Sequence, residues 1–278
     1  MTIKAIVLDM DGTLLTSRKT ISSKTKEALM DAQKNGVKVI LASGRPTLGM
    51  WEAAKELDLA SNNGFILSYN GSMVTDCSTN EVLFNQPMNV AVGQDMLNHL
   101  KKFDVIPMIV KDTHLFVNDV YEFIEGMTEE PFNVIKYEAD IGTFKLCEVE
   151  DLATFANYPL NKILVAGHPA YLEEVHQEIF QPFQDVATGV FSAPFYFELT
   201  AKNISKANAL DSVLSAHDIS ASEVISFGDS QNDRSIIDYA GIGVAMGNAI
   251  DEIKEAADYV TLSNDEDGIA LALEKFFV

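Results

Sequence analysis

Ile3 to Leu8 is a short, unbroken apolar run, and polar residues follow it at once. Ser22 to Asn35 then spaces its apolar residues as an amphipathic helix does and stops at Gly36. Val37 to Ala42 is a second apolar run, ending at Ser43-Gly44-Arg45. Strand, helix, strand with a right-handed crossover is the unit of a parallel sheet, and ligands of such sheets bind at the carboxyl ends of the strands. Thr47 to Leu57 predicts the next helix and Phe65 to Tyr69 the next strand. Asn70-Gly71 is a turn leading into a hairpin through Val82-Leu83-Phe84.

The same alternation returns near the C-terminus. Strands are expected at Val224 to Phe227, Gly243 to Ala245 and Tyr259 to Thr261, with helices at Asn232 to Tyr239, Ile250 to Ala256 and Gly268 to Phe277. Between the two halves the pattern changes: strands near Val105 to Val110, Leu115 to Val117, Phe144 to Val149 and Lys162 to Ala166 mix with helices such as Tyr171 to Phe180. The fold class read from this is α/β: a Rossmann-like, doubly wound parallel-sheet core of residues 1–85 and 195–278, interrupted by an inserted α+β domain of residues 86–194.

Composition narrows the partners. With 278 residues, 47% of them hydrophobic, the chain is long enough for two ordinary domains. Twenty basic against 41 acidic residues give a formal charge of -21, the wrong sign for tracking a nucleic-acid backbone, and no Lys/Arg run offsets it. Cys77 and Cys147 have neither metal nor redox spacing, which fits a reducing cytoplasm. No segment approaches the length of a membrane span, and the first apolar run is too short for a signal peptide. A soluble cytoplasmic monomer or homodimer is expected, with a small molecule as its partner. An acidic protein can hold a small anion if a metal ion and a few cations are placed locally.

Asp9-Met10-Asp11-Gly12-Thr13 directly follows the first strand, so two carboxylates stand where the chain leaves the sheet and can turn around an ion. Mg2+ wants oxygen ligands, commonly one or two carboxylates with substrate phosphate and water. Such an ion removes the main objection to a carboxylate attacking a phosphate, and Asp11 is then close enough for general acid and base work.

Asp9-x-Asp11-Gly-Thr after an apolar strand resembles the first motif of the haloacid dehalogenase-like (HAD) superfamily. Three further stretches are similar, in order, to its other motifs. The resemblance implies that the Ser43 hydroxyl and the Gly44 N–H hold phosphoryl oxygens, and that Lys206, in Ile204-Ser205-Lys206, cancels charge on the aspartate and phosphate. In Gly228-Asp229-Ser230-Gln231-Asn232-Asp233 it implies Asp229 as a metal ligand, Asn232 on the phosphate and Asp233 as support for the metal shell or the lysine. The expected site is therefore Asp9 as nucleophile, Asp11 as acid and base, Lys206, and Mg2+ held by Asp9, Asp229 and the Met10-to-Asp11 stretch through the Asp11 carbonyl. Met10, Ser43, Gly44, Arg45, Lys206 and Asn232 make up the substrate-binding side.

The insert's position, with Tyr69-Asn70-Gly71, Ala245-Met246-Gly247-Asn248-Ala249 and Ser263-Asn264-Asp265-Glu266-Asp267-Gly268, resembles the Cof-type branch with a C2 (type IIB) cap. That resemblance implies an Mg2+-dependent phosphatase of a small metabolite, such as a sugar phosphate, working through an aspartyl-phosphate, with specificity in the cap. A phosphotransferase or mutase, or a non-catalytic phosphometabolite-binding protein, are the alternatives; the latter would be expected to have lost a nucleophile or a metal ligand. Lys202 competes with Lys206 for the third-motif role, Arg45 can bind substrate or pair with an acidic neighbour, and Arg234 is expected at the surface or paired.

Overall fold

The structure, a computed structural model, describes residues 2–127 and 132–277. Its contacts divide into two units, one of residues 1–85 and 205–278, the other of residues 86–204.

In the first unit, eight strands among the described residues form one sheet, in the order Tyr259–Val260, Ile242–Ala245, Val224–Gly228, Ala5–Leu8, Lys38–Ala42, Phe65–Ser68, Met73–Asp76 and Val82–Asn85. The first six are parallel, and the last two return as an antiparallel meander. The first strand shows why the sequence reads as an unbroken apolar run. Ile6 and Leu8 belong to one hydrophobic layer and Ala5 and Val7 to the other, so both faces of the strand are buried. Successive strands move outward to one side from Ala5–Leu8 through Lys38–Ala42 to Phe65–Ser68, and to the other side from Val224–Gly228 to Ile242–Ala245. The carboxyl end of Ala5–Leu8 is thus the topological switch point, where a crevice opens between diverging connections.

The helix Ser23–Lys34 starts where Ser22 accepts a hydrogen bond from the Thr25 N–H and ends two residues before Gly36, which takes a φ of 83°. The segment expected as one helix from Thr47 to Leu57 is two pieces, a 3-10 turn Thr47–Met50 and a helix Trp51–Glu56. Gly49 lies within its first turn and is poor for an uninterrupted α-helix.

The second unit is built on a six-stranded sheet, counted among the described residues, in the order Ala187–Ala193, Tyr196–Ala201, Ile163–Ala166, Ile106–Lys111, His114–Val117 and Lys145–Glu148. All neighbours are antiparallel except the last pair. The helices Val90–Leu100 and Pro169–Phe180 pack on it through a core of Met96, Leu97, Leu172 and Ile179. Residues 195–204, read from the sequence with the core, lie in this unit instead. Tyr196–Ala201 pairs with Ile163–Ala166 in the second sheet, and the change of unit comes at 204/205. Within the second unit, Lys162 and Glu198 form a buried ion pair at 2.9 Å.

Candidate active site

Asp9 is the first residue beyond the central strand, and its N–H donates to Phe227 O at 3.1 Å, tying it to the adjacent strand. That strand, Val224–Gly228, is followed at once by Asp229, and Lys38–Ala42 on the other side by Ser43. Three parallel strands therefore deliver Asp9, Asp229 and Ser43 to one rim.

Lys206 reaches this rim from the start of the helix Lys206–Ala216, capped by Ser205, which accepts from the Asn208 N–H. A cation in a helix's first turn opposes the helix dipole, so the lysine needs anions to hold it there. It has them: Nζ donates to Asp9 Oδ1 at 2.7 Å, to Asp233 Oδ1 at 2.6 Å and to Ala42 O at 2.8 Å, with the side chain fully buried. Lys202, the competing lysine, belongs to the second unit and donates to Gln184 O.

Asp233 uses both oxygens. Oδ1 takes Lys206, while Oδ2 accepts from the N–H groups of Asp229 and Ser230, closing a capping box with Ser230. Asp229 accepts from Thr13 Oγ1 at 2.9 Å and Ser230 Oγ at 3.1 Å. Thr13 was visible in the sequence only as part of the first motif, and its task is to orient an acid from the far end of the chain.

One oxygen from each of Asp9, Asp229 and Asp233 lies within 4.8 Å of the others. Burial pushes the Asp9 carboxyl well above its ordinary range, with Asp233 adding to the shift and Lys206 opposing it. Burial and then Asp233 likewise raise Asp229, to about 6. For Lys206, burial works against the ammonium, but Asp233 and Asp9 outweigh it and hold its pKa above the usual lysine value. Three carboxylates thus share one ammonium, and the surplus is oxygen-borne negative charge. This is a donor set that suits a hard divalent cation. Gly12, at a φ of 85°, leaves room for it: a Cβ there would lie 2.5 Å from Asp229 Oδ2.

The Asp11 side chain is not in that cluster. Arg45 donates to it twice, Nε to Oδ2 at 2.7 Å and Nη2 to Oδ1 at 2.8 Å, and Lys19 Nζ adds a contact to Oδ1 at 2.7 Å. Burial raises this carboxyl, but Arg45 and Lys19 more than offset it, and the net pKa is below the ordinary value. Arg45 thus pairs with an acid, one of the two tasks left open for it. Met10 departs from expectation as a binding side chain. It is buried in the hydrophobic core, so any contact with an anion falls to its backbone. Ser43 is buried, donates its N–H to Leu67 O and accepts from the Arg45 N–H at 3.2 Å. Asn232 is exposed, and its Nδ2 donates to Asn70 Oδ1 at 3.2 Å. Arg234 lies at the surface and pairs with Asp238 at 2.7 Å.

Two stretches that marked a branch in the sequence prove to brace the loop after Asp11. Asn248 Nδ2 donates to Gly12 O and Asn264 Nδ2 to Leu15 O, each at 2.8 Å, and the Asn264 N–H donates to Asn248 Oδ1.

The family model described as haloacid dehalogenase-like hydrolase matches residues 6–273. Over 98% of its length the chain is 32% identical to the putative phosphatase YxeH of Bacillus subtilis (strain 168), covering 97% of that protein. It is 33% identical to the 5-amino-6-(5-phospho-D-ribitylamino)uracil phosphatase YcsE of the same organism, over 98% of this chain and 94% of that one. Among solved structures, the HAD subclass IIB sugar phosphatase BT4131 superposes with a TM-score of 0.81 at 28% identity, over 99% of both chains.

Proposed function

The chain belongs to the haloacid dehalogenase-like hydrolases and is a phosphoric monoester hydrolase of their Cof-type, subclass IIB branch, and we propose that its substrate is a small phosphorylated metabolite of the sugar-phosphate class, hydrolysed through an aspartyl-phosphate on Asp9 with Mg2+ as cofactor. The observation that carries this reading is the buried Asp9 carboxylate, 2.7 Å from the Lys206 ammonium and clustered with Asp229 and Asp233 at the switch point of the sheet. The sugar assignment is supported by the activities named for BT4131 and YcsE, which act on a sugar phosphate and on the phosphate of a ribityl chain. The unit of residues 86–204 serves as the cap, and the protein works in the cytoplasm, where Cys77 and Cys147 stay free thiols.

Asp9, Asp229 and the Asp11 backbone carbonyl would hold Mg2+, whose charge would neutralise the facing carboxylates and the phosphoryl oxygens. An Asp9 oxygen bonds to phosphorus as the ester oxygen departs, and Asp11 gives that oxygen its proton. In the second half, Asp11 takes a proton from water, the water oxygen bonds to phosphorus, and Asp9 leaves as a carboxylate with orthophosphate freed. Ser43, the Gly44 N–H, Lys206 and Asn232 stabilise the transferring group. Lys206 also keeps Asp9 oriented between the two half-reactions, because the ammonium is fixed by Asp233 and Ala42 O as well.

Phosphate release from a panel of sugar and sugar-alcohol phosphates, with Mg2+ and with chelator, tests this. Wild-type protein should turn over at least one member only with the cation, and Asp9→Asn should lose at least about 10³-fold in turnover. Equal turnover by Asp9→Asn would refute the assignment.

A further inference from the structure

The turn Tyr69-Asn70-Gly71 has no task in the reaction just described, yet it touches three of the segments that carry it. The Asn70 N–H donates to Ser43 O and the Tyr69 N–H to Arg45 O, both at 3.0 Å, so two backbone hydrogen bonds stitch the turn to the loop after the second strand. The Asn70 side-chain oxygen accepts from Asn232 on the opposite wall. The same amide lies against Gly44: a Cβ there would sit 3.0 Å from its oxygen and 3.1 Å from its nitrogen. Gly71, at a φ of 101°, abuts the start of the lysine helix, where a Cβ would collide with Ser205 O and lie 2.9 Å from the Lys206 N.

We propose that Asn70 is a positioning residue: its amide sets the separation between the Ser43-Gly44 loop and Asn232, and so the width of the slot that receives the phosphoryl group. The proposal rests on the reading of Ser43, Gly44 and Asn232 as phosphoryl-binding groups. Its physical basis is that the position makes two demands at once. The backbone is left-handed, with a φ of 56° following a Tyr69 φ of 53°, a conformation that asparagine tolerates better than most side chains and glycine best of all. The side chain must also bridge two loops, since its oxygen accepts from Asn232 while the same amide lies against Gly44. Glycine satisfies the first demand and not the second, which separates backbone from amide experimentally.

Asn70→Gly should therefore fold with an unchanged melting temperature and an unchanged Mg2+ requirement, while kcat/KM for the best sugar phosphate falls about 10- to 100-fold, the cost of a slot of the wrong width. Because the amide acts partly through Asn232, the loss caused by Asn70→Gly should be smaller by about 5-fold or more when measured in an Asn232→Ala background. Asn70→Ala, which fails both demands, should lose melting temperature as well as activity. Wild-type kcat/KM in Asn70→Gly, or an undiminished loss in the Asn232→Ala background, would overturn the role of Asn70 while leaving the phosphatase reading intact. Absence of Mg2+-dependent turnover in the wild-type protein would overturn both.

Discussion

Arg45 grips Asp11 with two hydrogen bonds, at 2.7 and 2.8 Å, and thereby favours its ionised form, the form in which Asp11, under the proposed mechanism, takes a proton from water and which it must leave in order to protonate the departing oxygen. Lys19 reinforces the grip at Oδ1. Burial alone would raise this carboxyl, so its lowered pKa is the work of the two cations. The basic form needed to activate water is then present well into acidic solution. Replacing Arg45 by alanine removes the larger opposing contribution, the Asp11 pKa rises, and the basic form is lost at a higher pH. The acid limb of the kcat profile of Arg45→Ala should accordingly lie closer to neutrality than that of wild type, as pH–rate curves on one substrate will show. Coincident acid limbs would mean that Arg45 does not control Asp11.

Asp229 shifts the other way, to about 6 from an ordinary value of 3.8, through burial and the neighbouring Asp233. A carboxyl whose folded-state pKa is raised binds its proton more tightly in the native protein than in the unfolded chain. It therefore makes stability fall as pH climbs from about 4 to about 6 in metal-free protein. A bound divalent cation should reverse that penalty, stabilising the protein more at neutral pH than at pH about 5, because the cation must displace protons. Thermal unfolding with Mg2+ and with chelator, for wild type and Asp229→Asn, checks both points. The substitution should flatten the metal-free pH dependence over this range and abolish the stabilisation by Mg2+.

Gly12 lies against the Asp229 carboxylate of the acid cluster. At a φ of 85° any other residue is strained, and a Cβ would meet the Asp229 carboxylate at 2.5 Å. Gly12→Ala should displace that carboxylate and weaken Mg2+ binding about 10- to 100-fold, as loss of a supporting contact commonly does. Titration of activity against Mg2+ would show a raised half-saturation with turnover partly restored at high Mg2+.

The sequence was most informative where residues sit on the sheet itself. Asp9 and Ser43 directly follow apolar runs, Asp229 follows one after Gly228, and parallel strands bring their carboxyl ends to one edge of a sheet, while the grouping of these three residues in one site is what the resemblance of their motifs implies. What stayed hidden depends on pairing between distant segments. Nothing local in Arg45 says that its partner is Asp11, 34 residues away, rather than a ligand, and nothing in Thr13 points to Asp229, 216 residues on. Residues 195–204 fall outside the unit expected for them for the same reason, since a local pattern does not say which sheet a segment joins. Met10 was legible as part of a motif but not as a core side chain, because the chain turns just where strand periodicity would have given its direction.

The most direct test of covalent catalysis at Asp9 is to quench the protein with acid during turnover of a phosphorus-labelled substrate and to map the label. Mg2+-dependent label on the peptide containing Asp9, absent from Asp9→Asn, is the expected result. Rapid turnover with no label on the protein, or label on any other residue, would contradict it.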